Sequence, residues 1–192
     1  MTSSITALAA RNNAIWCDTV CRAHDRAGEF HETLWFTRLG TPRFYPDAVT
    51  IAGAEAAPVQ LEAIAGLIGA TRQREWFVKD SFHCLHLNSL GFEPLFDAEW
   101  IALSGARPDV KRNLPEYRST IVTGEAGLIA WEQSWAGKEV NANSEPRVFM
   151  PGLLADTNVV FVSFQGEDGV AGGGILNRGA EVVGLSISSV PK

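Results

Sequence analysis

The run WCDTVCRAH places Cys17, Cys21 and His24 four and three residues apart, so that on a helix they line one side. Two thiolates and an imidazole are ligands that zinc accepts, but a structural zinc site needs four in a tetrahedral array, and its cysteine pairs usually sit in loops at C-x2-4-C spacing. The spacing here is C-x3-C-x2-H inside a helical pattern that also carries Ile15, Trp16 and Val20. Those same positions describe the buried stripe of a packed helix, where free cysteine is at home. The expectation is therefore a packed stripe and no metal, with a small zinc-binding protein as an alternative.

Two further stretches carry chemistry-bearing residues. In HCLH, read as strand, period two sends His83 and Leu85 to one face and Cys84 and His86 to the other, so that His86 could activate a nucleophilic Cys84. No third, orienting residue can be assigned to that pair. AGGGILNRG has neither the G-x-G-x-x-G nor the Walker spacing, and its glycines lie inside a strand pattern. A bulge or a close backbone approach is the expected role, with Asn177 and Arg178 as the nearest polar groups should a ligand approach.

The elements that must position these residues follow from periodicity and punctuation. Ile5 to Arg26 has a helical rhythm, with Gly28 as a stop. His31–Thr37 and Ala48–Ile51 read as strands around a stiff Pro42–Pro46 turn, and Pro58 opens an amphipathic helix ending near Gly69. Glu75–Phe82 and Phe92–Leu103 are predicted strands, separated by a turn or short helix through Leu90 and a reversal at Gly91. SGARPDVKRNLPE has the composition of a linker, which divides the chain into an N-terminal α/β subdomain (1–103), a linker (104–117) and a C-terminal subdomain (118–192).

Beyond the linker, Gly124–Trp135 is a predicted helix with Leu128, Trp131 and Trp135 on one side. A polar loop (Gly137–Pro146) and a short turn or helix (Phe149–Leu154) follow. NVVFVSFQ, a turn at GEDG, VAGGGILNRG and EVVGLSIS form a predicted antiparallel meander. The six tryptophans are assigned first to the core.

A net charge of -6 and a pI near 5.2 leave no basic footprint for nucleic acid or anionic lipid. The start MTSSITALAARNNAIWC lacks a basic segment leading into an unbroken apolar run, and no stretch approaches the roughly 18 apolar residues of a membrane span. With three cysteines, an odd number, the expected compartment is the cytoplasm and the expected thiol state reduced.

LIAWEQSW, NVVFVSFQ, VAGGGILNRG and EVVGLSIS, over roughly residues 118 to 189, resemble the first half of a GNAT-type N-acetyltransferase fold. REWFVKDSF followed by LNSLGFEPLFDAEWI resembles the later half, where a helix leads through Gly-Phe into a long strand. The fold class implied is α/β (α+β), a mixed and mainly antiparallel sheet flanked by helices in two subdomains. The resemblance implies acetyl-CoA or another acyl-CoA lying along EVVGLSIS, its pantetheine amides paired with backbone at Val183, Gly184, Leu185 and Ser186, and a small amine attacking the thioester directly. Such a transfer needs a base for the ammonium proton. Glu132 and Asp156 are the expected candidates, with Glu99 beside them. No Arg/Gln-x-x-Gly-x-Gly turn follows EVVGLSIS in this sequence. That departure keeps open a second function, a non-catalytic binding or assembly module that retains the fold and pairs as a homodimer through the C-terminal edge strand.

Overall fold

The first helix starts where a serine can close it. Ser4 is in extended backbone and its hydroxyl accepts the Ala7 N–H at 3.1 Å, satisfying one of the donors that the start of α1 (Ile5–Ala23) leaves open. The helix ends at His24, and Asp25 adopts the left-handed conformation (φ 59°) that turns the chain away. Gly28 serves a different purpose from the expected stop: a Cβ there would lie 2.5 Å from the Trp35 indole. Gly28 N and Trp35 Nε1 both donate to Oδ1 of the buried Asp18, at 2.8 and 3.2 Å, while Arg22 holds Oδ2.

The computed structural model describes residues 4–71, 75–105, 118–136, 147–166 and 169–187. It is an α+β fold in two compact units, Met1–Trp100 with Gly179–Val182, and Ile101–Arg178 with Val183–Lys192. Among the described residues no helix is long and apolar enough to cross a membrane.

The first unit is built on β1 (Glu29–Phe30), β2 (Leu34–Phe36), β3 (Ala48–Thr50) and β4 (Val78–Lys79), in that spatial order. β2 is antiparallel to β1 and β3, whereas β4 is parallel to β3, and a parallel neighbour requires a crossover. Helix α2 (Ala57–Ala70), with proline in its first turn, lies in that connection. Alternation assigns the strand residues to two cores. Trp35, Val49 and Ile51 pack with Ala14, Cys17 and Cys21 of α1, and Leu34, Phe36 and Ala48 pack with Ile64 and Leu67 of α2. Because both faces are covered, β2 is buried at every residue and its run LWF does not alternate in polarity. This unit also contains the reversal Gly179–Val182, where Asn12 Nδ2 donates to Gly179 O at 3.0 Å. Ala180 and Glu181 there both have positive φ, the signature of a two-residue hairpin turn of type I′.

The second unit is a sheet of β5 (Arg118–Ile121), β6 (Val159–Gly166), β7 (Gly169–Gly179) and β8 (Val182–Ile187) in sequential order, with β5–β6 and β6–β7 antiparallel. Helix α3 (Glu125–Ala136) covers one face. Trp131 meets Phe149 and Phe161 edge-on, with ring centroids 5.4 and 5.2 Å apart, and its Nε1 donates to Val162 O at 3.0 Å. The register puts Ile121, Val162, Phe164 and Leu176 on the opposite face, and there Ile121, Phe164 and Leu176 are exposed.

Several expectations are corrected. Phe92–Leu103 is not a strand; it runs without regular structure and leaves Leu95, Phe96, Ile101 and Leu103 exposed. The strand expected over Glu75–Phe82 shrinks to Val78–Lys79. HCLH is a turn, with His83 at φ 52°, because the Asp80 carboxylate collects the N–H groups of Phe82, Cys84 and Leu85 at 3.2, 2.7 and 2.8 Å. The linker from residue 106 to 117, the loop over 137–146 and the Trp135 side chain lie outside the described residues.

Candidate functional site

A strand at the end of a sheet keeps one row of main-chain N–H and C=O groups outside the ladder, and β8 has that place in the second unit. Period two splits its side chains. Leu185 lies over Gly174, its Cδ1 3.3 Å from where a Cβ on that glycine would be, and Gly174 pairs with Val162 on the face opposite α3. Val183 therefore shares that face with Leu185, and the two are 58% and 63% exposed. Gly184 and Ser186 alternate to the other side and are half-buried. The four residues expected to border a cofactor arm thus lie on one edge strand, with two apolar side chains open to solvent.

The expected acid and base groups are placed differently. Glu132 on α3 is buried and both its oxygens are engaged: Oε2 accepts from Arg147 Nη2 and Nε at 2.8 and 3.1 Å, and Oε1 accepts from Phe149 N at 3.0 Å. Arg147, itself buried, also reaches Glu125 at 3.0 Å. In this arrangement Glu132 ties Arg147 and the Phe149 backbone to α3. Asp156 ends the 3-10 turn Pro151–Ala155, and its Oδ1 accepts from Asn158 N at 2.9 Å, closing the approach to β6. Glu99 is exposed in the irregular segment after Gly91.

The glycines of AGGGILNRG have a packing role. A Cβ on Gly173 would meet Trp131 Nε1 and Val162 O, so this position lets the indole lie against the sheet and reach the Val162 carbonyl. Asn177 is buried, and only Arg178 of the polar pair is exposed.

All three cysteines are free. Cys17 and Cys21 lie in the α1 core of the first unit, and burial pushes both thiols up to about 12. Among the described residues no group of three or more His, Cys, Asp and Glu side chains is arranged to hold a metal ion. The Cys84–His86 pairing is corrected as well. The Cys84 Sγ lies 3.9 Å from Asp80 Oδ1, and desolvation followed by that carboxylate raises its pKa, the wrong direction for a nucleophile.

No protein-family model, no curated protein and no solved structure matches the chain.

Sequence reasoning passed over one arrangement. Lys79, the second residue of β4, has its ammonium 4.5 Å from the centre of the Trp100 ring, and burial lowers its pKa. Its signal in the sequence was the adjacent Lys79 and Asp80 within WFVKDSF, a pair that reads equally well as the exposed side of a strand.

The buried thiols give a direct expectation. At pH 8 a disulfide reagent should label Cys84 alone in the native chain and all three cysteines after unfolding in urea. Because the folded pKa values of Cys17 and Cys21 lie above the unfolded value of about 8.5, their contribution is intact below that pH and is lost as pH climbs toward about 12. The unfolding free energy from urea titrations should hold between pH 7 and 8 and fall by pH 10, by roughly 2 kcal/mol for each thiol. A flat profile to pH 10 would contradict their burial.

Proposed function

We propose that the chain is an acyl-CoA-dependent N-acyltransferase-like protein of GNAT type, acting on a small amine, with β8 as the strand along which the acyl donor's arm lies. The observation that carries this reading is the position of β8 at the edge of its sheet, with Val183, Gly184, Leu185 and Ser186 in sequence along it. Pantetheine is a thin chain with two amides, and an extended strand rising about 3.4 Å per residue presents donors and acceptors that such amides can meet. The helix and three-strand succession LIAWEQSW, NVVFVSFQ, VAGGGILNRG, EVVGLSIS, on which the resemblance rests, is present as α3, β6, β7 and β8.

The fit covers the arm. Among the described residues nothing beside β8 cradles a pyrophosphate, so the expected affinity is weak and resides in the arm. When bound, the group supplies a thioester carbonyl activated toward amines. The protein's share is to hold the arm extended along β8, with Val183 and Leu185 as its apolar border. Glu132, locked by Arg147, is not the base in this reading, and the amine attacks in its neutral form.

Calorimetric titration with acetyl-CoA and with acetyl-pantetheine tests the proposal, alongside amide chemical shifts. Binding of both with similar affinity, with shifts concentrated at Val183–Ser186, is the expected result. Silence to both ligands at millimolar concentration removes the cofactor from the reading.

A second reading is favoured by the face of the same sheet opposite α3, where Ile121, Phe164, Leu176, Val183 and Leu185 are exposed among the described residues. In it, β8 pairs with β8 of a second copy across a twofold axis, and the chain is a non-catalytic assembly module. A monomeric mass at high concentration counts against it.

A further inference from the structure

A bulky side chain at positive φ is costly and persists where the surrounding structure imposes it. Phe44, in the connection between β2 and β3, has φ 75°. Tyr45 N donates to Pro42 O at 3.1 Å, so Pro42–Tyr45 is a four-residue turn whose third position, taken by Phe44, ordinarily belongs to glycine or asparagine. The turn is pinned from within. Thr41 Oγ1 donates to Tyr45 O at 2.6 Å, and Tyr45 packs on the α1 core, its ring 6.4 Å from that of Trp16. With Tyr45 turned inward, Phe44 is left 64% exposed, and the Arg43 guanidinium lies over its ring at 4.5 Å. Leu39 is exposed in the same loop, and residues 38–46 (RLGTPRFYP) carry two arginines and no acid in a chain of net charge -6.

Residues 93–99 (EPLFDAE) are the converse, with three acids and no base, and with Leu95 and Phe96 exposed. Both segments are anchored on β4, the strand that ends the first sheet. Just before it, Asp47, which follows the loop, exchanges two hydrogen bonds with Phe77: Asp47 N donates to Phe77 O at 2.7 Å, and Phe77 N to Asp47 Oδ2 at 3.0 Å. At its other end Trp100, which follows Glu99, lies over Lys79 and donates to Ser81 O at 2.9 Å. A basic, apolar loop and an acidic, apolar segment therefore flank one edge strand.

We propose that this surface is an interface with a second copy of the chain, in which residues 38–46 of each copy lie against residues 93–99 of the other across a twofold axis near β4. The choice of a second copy rests on complementarity. Two regions of one surface that are opposite in charge and both apolar can meet only between copies, and a twofold axis passing between them makes each contact twice. Arg38 and Arg43 then face Glu93, Asp97 and Glu99, while Leu39 and Phe44 come against Leu95 and Phe96. The turn that strains Phe44 is what presents its ring outward as an anchor. This interface belongs to the first unit and does not depend on either reading of β8.

Sedimentation equilibrium of the full chain, from micromolar to submillimolar concentration, is the test. A dimer is expected whose dissociation constant rises on the order of tenfold between about 0.05 and about 0.5 M sodium chloride, as salt screens the exposed pairs. Arg43→Glu, and separately Asp97→Arg with Glu99→Arg, should each weaken self-association on the order of tenfold or more, since like charges then face one another. Mixed in equal amounts, the two variants should associate with each other as the wild-type chain does with itself, because both contacts of the mixed pair join opposite charges. That recovery also shows that each variant is folded. Phe44→Gly should weaken the dimer without lowering the melting point, because glycine adopts the turn without strain. A monomer throughout the range overturns the proposal, and so does weakening that does not recover on mixing. A dimer that neither charge variant weakens overturns it too, and is the result that pairing through β8 would give.

Discussion

Replacing Gly173 with alanine is expected to destabilise the second unit by roughly 3 to 4 kcal/mol, the sum of overpacking and a lost hydrogen bond that leaves a buried donor unpaired. The new methyl would meet Trp131 Nε1 on one side and Val162 O on the other. The carbonyl belongs to the β6 backbone and cannot step aside, so the indole must move. In moving it loses its bond to Val162 O and its edge contacts with Phe149 and Phe161. For a chain of this length the melting point should fall by about 10 °C. Gly66→Ala supplies the contrast, because that glycine is inside α2 with nothing within 4 Å of a Cβ. It should stabilise by about 0.5 to 1 kcal/mol. Thermal unfolding followed by tryptophan fluorescence distinguishes the two, and equal, small effects at both positions would remove the account of why this strand is rich in glycine.

The same residue shows what could be read before the structure. A glycine inside a strand pattern signals that something approaches closely, but which side chain approaches is a tertiary fact: Trp131 is 42 residues away in sequence. Elements whose signal is local came through well. α2 follows from Pro58 and the spacing of Ile64 and Leu67, and β6, β7 and β8 follow from alternation and turn chemistry. The packed stripe through Cys17 and Cys21 was also legible, because burial and helical spacing point the same way.

The failures share a cause. Phe92–Leu103 has the β-branched and aromatic content of a strand, yet propensity describes how a residue suits a sheet and says nothing of whether an edge is at hand. HCLH alternates like a strand, but a single carboxylate at Asp80, bonded to three following N–H groups, outcompetes extended backbone there. Lys79 was missed because a lysine next to an aspartate looks solvated until a ring is found above it.

Removing the Glu132 side chain should produce the other large effect, and should do so through folding. Glu132→Ala leaves Arg147, whose side chain is 6% exposed, with Glu125 as its remaining acidic partner among the pairs described, and removes the Oε1 that accepts from Phe149 N. Breaking a buried pair from one side costs about 3 to 5 kcal/mol, since the surviving charge stays desolvated. Glu132→Gln should cost less, because an amide oxygen can still accept from Phe149 N, but it cannot answer the guanidinium. The double variant Glu132→Gln with Arg147→Met removes both charges and should recover much of the loss, giving a coupling energy that a double-mutant cycle in urea reads directly. The cycle separates two roles for this carboxylate. A general base would show Glu132→Gln folding with unchanged stability while amine transfer falls, and Arg147→Met would not rescue it. A clamp shows stability falling first and returning when Arg147 is neutralised, because what the carboxylate holds in place is the Arg147–Phe149 segment against the aromatic core of the second unit.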